Sequence, residues 1–370
     1  MRLRIGPVQL KTNVLLAPVA GYFDLPYRLV VRSVPGVGCE PADLGGALDC
    51  GDGTYGGVGL CSSELLCGHA IVRETDRTAW LAETDPLDRP LAMQLYGADA
   101  DVLAEAGRWA VAHGAAVVDL NMGCPVDKVT KRNGGSMLLR DACNATSLAA
   151  RVVDAVAAAS GGRVAVTAKI RLGWDDTSLV HQTLPPRLAD VGVAAVTVHG
   201  RTTAQRFKPS VRMAGIAQTV EAVKRRHPGV AVIGNGDIQC GGDAEAMVRQ
   251  TGCDGVMLAR GAMGRPWLGR EVACRLATGR DGPPLPRLER ARLVRSHFEN
   301  LLRLRGEREA MHQIRFRVAR YSPHLQPWPG LRRDVRSLQD AATFRAFWAA
   351  GMDRIAGGEH AQRGEVAVAA

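Results

Sequence analysis

Cys124 stands in the run NMGCP (121–125), between an apolar stretch and a proline. A free thiol has a pKa of about 8.5, so at neutral pH it is mostly protonated and can serve as a general acid. Other groups with chemical uses sit at the ends of short apolar runs. Gln94 lies in one, and Asn121 and Cys124 close the next. Lys169 and Arg171, His199 and Arg201, Asn235 and Asp237, and Arg260 close the four that follow. A lysine in such a place can stabilise negative charge that develops during a reaction. The turns GNGDI (234–238) and ARGAMGRPW (259–267) are rich in small residues. Glycine lets backbone N–H groups come close to a ligand, and an arginine can grip a phosphate with two hydrogen bonds. Together they predict a phosphorylated cofactor or substrate. Taken singly, each turn is only a tight turn, and Cys124 is only a small buried hydrophobe.

The elements that must position these groups form a repeat. The apolar runs are 14–20, 58–63, 91–97, 116–123, 164–171, 194–201, 230–237 and 255–261, with helical candidates at 99–112, 144–159, 214–226 and 243–250. Near-continuous apolar strands alternating with amphipathic helices predict a parallel sheet with helices outside it. Eight units over this length predict an α/β fold, a (β/α)8 TIM barrel. In a barrel the strand ends converge on one mouth, where active sites lie. Polar residues that merely terminate strands would explain one or two such ends, but not six in succession.

Composition limits the class of protein. The chain has 370 residues, 46% hydrophobic and 23% charged, which fits a soluble barrel with a smaller second domain. No apolar run approaches the roughly 20 residues of a membrane span, and the apolar N-terminal run is too short for a signal peptide. A cytoplasmic location, no membrane contact and a monomeric state are expected. The nine cysteines include no CxxC pair, so a disulfide framework is not expected. The net charge is +10, and from Arg287 to Ala356 fifteen arginines face only seven acidic residues. A basic domain appended to a nearly neutral one points to a polyanionic partner, or else to a solvated arginine-rich surface. Arg315, Arg317, Arg320, Arg332, Arg333 and Arg336 are the candidates for phosphate contact. Most of the interleaved aromatics Phe316, Tyr321, Trp328, Phe344 and Trp348 are expected in the helical core.

The motifs APVAGYFDLPYR (17–28), SELLCGHAIVR (63–73), NMGCPVDKVTK (121–131), KIRLGWDD (169–176), TVHGRT (197–202), IGNGDI (233–238) and GRPW (264–267) occur in one order. In that order the sequence resembles the bacterial tRNA-dihydrouridine synthases from about Leu3 to Ala356. The resemblance implies an FMN-binding TIM barrel over 1–275, a helical tRNA-binding domain over 285–356 and a disordered tail over 357–370. It implies reduction of the C5–C6 double bond of specific tRNA uridines. NADPH (or NADH) reduces FMN, the flavin gives hydride to C6, and a cysteine protonates C5. Carried onto this sequence, Cys124 is the proton donor. Pro18, Val19 and Ala20 line the flavin, and Gln94 bonds the edge of its ring. Lys169 and His199 sit beside it. Asn235, Gly236, Asp237, Ala259 and Arg260 hold its phosphate. Asn121, Lys128, Arg171 and Arg201 contact the substrate, whose target base must be drawn out of folded RNA.

The sequence departs from the family in places. A glycine-rich insertion at 36–60 carries Cys39 and Cys50, with Cys61 and Cys67 just beyond. Their spacing matches no common zinc or iron–sulfur pattern, so no metal is expected. Ala259 replaces a usual glycine, and Asp127 a usual basic residue. Two other readings stay open: an FMN barrel acting on a free pyrimidine, like a dihydroorotate dehydrogenase, and a tRNA-binding protein without catalysis. The first leaves the basic domain without a purpose. The second leaves Cys124, Lys169 and His199 without one.

Overall fold

The computed structural model describes residues 2–36, 57–73 and 76–368. A hairpin of two short strands, β1 (Leu3–Ile5) and β2 (Val8–Leu10), opens the chain. Eight parallel strands then close a barrel: β3 (Val14–Leu16), β4 (Leu60–Cys67), β5 (Leu91–Tyr96), β6 (Val117–Met122), β7 (Ala165–Arg171), β8 (Ala195–His199), β9 (Ala231–Asn235) and β10 (Gly255–Leu258). They pair in sequence order, and β10 returns to β3. All eight expected runs become strands. The four helical candidates become helices Ala100–Ala112, Ala142–Ser160, Met213–Arg226 and Gly241–Thr251. Their ends follow from local chemistry. Asp99 and Asp141 cap the first two by accepting backbone N–H bonds, and left-handed Gly161 and Gly252 terminate the second and fourth.

The hairpin closes the N-terminal end of the barrel. Leu3, Ile5 and Leu10 form one apolar cluster with Leu15, Leu60, Val117, Ala165, Ala195, Ala231 and Ile233. That plug leaves the opposite end, where the polar strand termini gather, as the open one. Strand β4 runs on past Ser63 through a register shift between Ser62 and Leu65. The shift carries Glu64 and Cys67 to the mouth.

Helix Arg287–Tyr321, interrupted at Gly306 (φ 76°, ψ 166°), begins the C-terminal helical domain, with helices Leu331–Ser337 and Ala341–Val368. Phe298 and Phe344 pack with ring centroids 4.0 Å apart, Trp348 lies beside Trp328 at 4.8 Å, and the Trp348 indole donates to the Ala291 carbonyl. The domain is bound to the barrel through the loop and helix that follow β3. On helix Leu25–Arg32, the Tyr27 hydroxyl donates to Ala262, and Arg28 pairs with Asp88 at 2.7 Å, both side chains buried. Beside that helix, Arg317 pairs with Asp24 at 3.5 Å.

The last helix reaches Val368, so the segment from Gly357, expected as a disordered tail, is helical to that point. Most of the 36–60 insertion, including Cys39 and Cys50, lies outside the described residues. Cys61 and Cys67 are on β4. No described helix is long and apolar enough to cross a membrane.

Candidate active site

The open end of the barrel holds a cavity of about 980 Å³. Pro18, Val19 and Ala20 line it from the loop after β3, and Gln94 from β5. Asn121, Cys124 and Lys128 line it from the end of β6 and the turn beyond. Lys169, Arg171 and His199 come from β7 and β8, and Asn235, Gly236, Asp237, Ala259 and Arg260 from the ends of β9 and β10. Arg201, expected at the substrate, does not line it. It is buried behind the wall, where its guanidinium donates to Pro209 O (2.6 Å), His199 Nε2 (3.0 Å) and Asp237 (2.5 Å).

The turn carrying Cys124 is fixed from several sides. Asn121 Oδ1 accepts the N–H groups of Gly123 (3.2 Å) and Cys124 (3.0 Å). Arg171 Nε donates to Gly123 O at 2.8 Å, and Ser136 N–H donates to Cys124 O at 3.1 Å. Left-handed Gly135 lies so close that a Cβ there would sit 2.8 Å from the Cys124 carbonyl oxygen. Burial pushes the Cys124 thiol up, against the pull of the Val126 N–H and the Arg171 and Lys169 charges. The thiol therefore keeps its proton at neutral pH.

Two of the expected substrate contacts are also engaged within the protein. Asn121 gives its carbonyl oxygen to the cysteine turn and its amide N–H to Gln94 Oε1 at 2.7 Å. Gln94, fully buried, donates in turn to Asp119 at 2.6 Å, and Asp119 also accepts from Thr167 at 2.6 Å. Arg171 ties the cysteine turn to the loop after β8, donating from Nη1 to Thr202 O (2.9 Å) and Arg206 O (2.7 Å). Both residues line the cavity, and these bonds also hold the Cys124 turn.

The other half of the cavity is cationic. Lys169 Nζ donates to Asn235 Oδ1 at 2.9 Å, and Asn235 Nδ2 to Met257 O at 2.8 Å. Burial, followed by the Arg171 charge, pulls the Lys169 ammonium down to about 8. Burial and the charges of Lys169, Arg171, Arg201 and Arg260 hold His199 well below the usual imidazole range. Since Arg201 can only donate, His199 Nε2 accepts, and the ring proton sits on Nδ1.

Asp237 (φ 54°) accepts from Arg201, from the Val211 N–H at 3.0 Å and from Arg260 at 2.9 Å. Burial alone would raise its carboxyl, but these bonds and charges outweigh burial and hold it low. Its charge orients Arg260, which is about half exposed toward the cavity. At Gly236 (φ 126°) a Cβ would come within 3.1 Å of the His199 ring. Ala259 has a negative φ (−131°), so the glycine usual there in the family is not needed for handedness. Asp127 faces Arg206 at 4.0 Å on the exposed rim.

Sequence reasoning missed several wall residues. Glu64 is buried at the cavity, accepts the Gly21 N–H, and has its carboxyl pushed up by burial. Its only signal was the SEL run just past the expected end of β4. Tyr96, at the end of β5, has its hydroxyl pushed up to about 12 by burial and by its bond to Cys67. Phe207, half exposed, lies against both Arg171 and Arg260 with guanidinium carbons 5.5 and 5.3 Å from the ring centroid.

A sequence profile described as dihydrouridine synthase (Dus) matches residues 15–352. The chain belongs to the dihydrouridine synthase family. Membership makes it an oxidoreductase, and the match spans the barrel and most of the helical domain. Its relatives include a "Probable tRNA-dihydrouridine synthase" of Mycobacterium tuberculosis strain H37Rv, 36% identical, covering 91% of this chain and 81% of that one. The "tRNA-dihydrouridine synthase B" of Xanthomonas axonopodis pv. citri is 35% identical over 86% of each chain. That of Pseudomonas aeruginosa is 32% identical over 94% of this chain and 96% of the relative.

Proposed function

We propose that this synthase reduces the C5–C6 double bond of uridines in tRNA to 5,6-dihydrouridine, with FMN as resident cofactor and NADPH (or NADH) as reductant. The observation that carries the reading is the Cys124 thiol, pinned just beyond β6 in the same cavity as the cationic wall of Lys169 and Arg260. The cavity fits the cofactor. Pro18, Val19 and Ala20 offer an apolar wall for a planar ring. Gly236, where a Cβ would strike His199, leaves a close backbone approach beside Arg260, as a phosphate end requires. Lys169 and Arg260 match its negative charge.

When bound, FMN supplies the hydride that adds to C6 of the uracil. The protein's own share is acid catalysis and electrostatics. As C6 gains hydrogen, electron density builds at C5 and O4. The Cys124 S–H bond breaks as the C5–H bond forms, and Arg171 and Lys169 lie close enough to lower the cost of the thiolate left behind. The open mouth lets solvent restore the proton. Lys128 contacts the nucleic acid backbone in this reading, which its exposure on the rim near Cys124 supports.

The helical domain supplies the polyanion surface through exposed Arg320, Arg332, Arg333 and Arg336. Arg317 is not among these contacts, because it is buried against Asp24 and over the Tyr22 ring. The test is direct. The purified protein should be yellow, and with NADPH and unmodified tRNA it should yield dihydrouridine detectable by nucleoside mass spectrometry. A colourless protein that FMN cannot reconstitute would overturn the reading.

A further inference from the structure

Among the described residues, Trp80, Phe207 and Phe316 are the exposed aromatics. Trp80 and Phe207 line the cavity and lie against arginines. Phe316 does neither. It is 68% exposed on helix Arg287–Tyr321, outside the core that holds Tyr321, Trp328, Phe344 and Trp348. Burial therefore does not account for it, and a single exposed aromatic points to a ligand only where its neighbours suit one.

Its neighbours suit a ligand. Residues four apart on a helix lie side by side, and Arg308, His312, Phe316 and Arg320, all exposed, follow that spacing. The His312 and Phe316 rings are 5.1 Å apart, edge to face. Glu307 and Glu309 flank Arg308 and keep their charge, Glu307 accepting the Ala341 N–H at 2.7 Å and Glu309 accepting from Gln313 at 2.8 Å, whereas no acid adjoins Arg320 in the chain. The stripe is aromatic at its centre with an arginine at each end, and its cationic end is Arg320.

One end adjoins the active-site mouth. The Arg320 backbone packs on Gly264, where a Cβ would fall 2.5 Å from the Arg320 carbonyl oxygen, and the preceding Met263 lines the cavity. Arg317, on the adjoining face, donates to Tyr22 O in the loop that forms the cavity wall. A polyanion entering the cavity at this rim would run along the stripe.

We infer that Phe316 is a stacking platform for an unpaired base of the RNA substrate, with Arg308 and Arg320 on the phosphates at either side. Base–aromatic stacking tolerates any base and is flanked by cations wherever single-stranded segments bind. This inference rests on tRNA being the substrate.

The test uses the FMN-loaded full chain with Phe316→Ala, Phe316→Leu and Phe316→Trp. The side chain is mostly in water, so each variant should melt with the wild type. Alanine and leucine should each raise KM for tRNA about tenfold, within the range that loss of one stacked base produces. Tryptophan should keep the wild-type KM. kcat and flavin reduction by NADPH without tRNA should be unchanged in all three. An unchanged KM in Phe316→Ala would overturn the inference and leave the stripe to a protein partner. Full activity in Phe316→Leu would also overturn it, since apolar contact would then suffice. A wild-type enzyme that reduces flavin but never modifies or binds tRNA would instead defeat the substrate reading, and the inference with it.

Discussion

Lys169 carries a charge that its surroundings disfavour. Burial and Arg171 bring it down to about 8, so in the free protein it loses its proton near that pH. An anionic group bound beside it favours the charged form, raising its pKa in the complex. Binding should therefore be flat with pH below about 8 and weaken as pH rises through about 8, because a proton must then be taken up. Fluorescence titration of FMN into the apoprotein should show this decline, and Lys169→Met should bind more weakly with a flat profile. A wild-type affinity unchanged through pH 8 would remove Lys169 from the flavin site. The sequence made these residues legible as a set, since each closes an apolar run. It did not show how they divide the work. Asn121, Arg171 and Arg201 are expected as substrate contacts from the sequence; all three also hold other site residues, and Arg201 lies behind the cavity wall. Their partners, such as Gln94 and Gly123, lie 27 and 48 residues away, a distance no local pattern encodes.

At the scale of elements, the strands and helices were readable because parallel strands buried on both faces are continuously apolar. The β1–β2 hairpin was not, because three-residue strands carry too little periodicity. The Ser62–Leu65 irregularity in β4 was hidden for a similar reason, and Glu64 with it. Helix Leu25–Arg32 has a different importance, since it joins the barrel mouth to the helical domain. Its Arg28 pairs with Asp88 in the segment before β5, and both side chains are almost without solvent contact. Removing one member strands the other charge. Asp88→Ala should lower unfolding stability by about 3–5 kcal/mol, read from chemical denaturation. A loss near zero would mean that Arg28 finds another partner at no cost.

At the scale of the whole molecule, a cationic barrel mouth and a basic helical face share one rim. Charge counting located the basic domain, and helix amphipathicity put most of Phe316, Tyr321, Trp328, Phe344 and Trp348 in the core without saying which; the fold buries four and leaves Phe316 outside. Which arginines face solvent depended on the fold, as buried Arg317 shows. If exposed Arg332, Arg333 and Arg336 meet phosphates, replacing all three with glutamine should reduce the logarithmic salt slope of tRNA binding by about 2. An unaltered slope would shift the RNA path away from helix Leu331–Ser337.

Everything in the account converges on the proton held at Cys124. The most direct test loads wild-type protein and Cys124→Ala equally with FMN, reduces both, and measures dihydrouridine formed in unmodified tRNA in a single turnover. Cys124→Ala should keep its flavin and lose rate by about 100-fold or more, the scale of a general acid. Dihydrouridine formed at the wild-type rate by Cys124→Ala would contradict it.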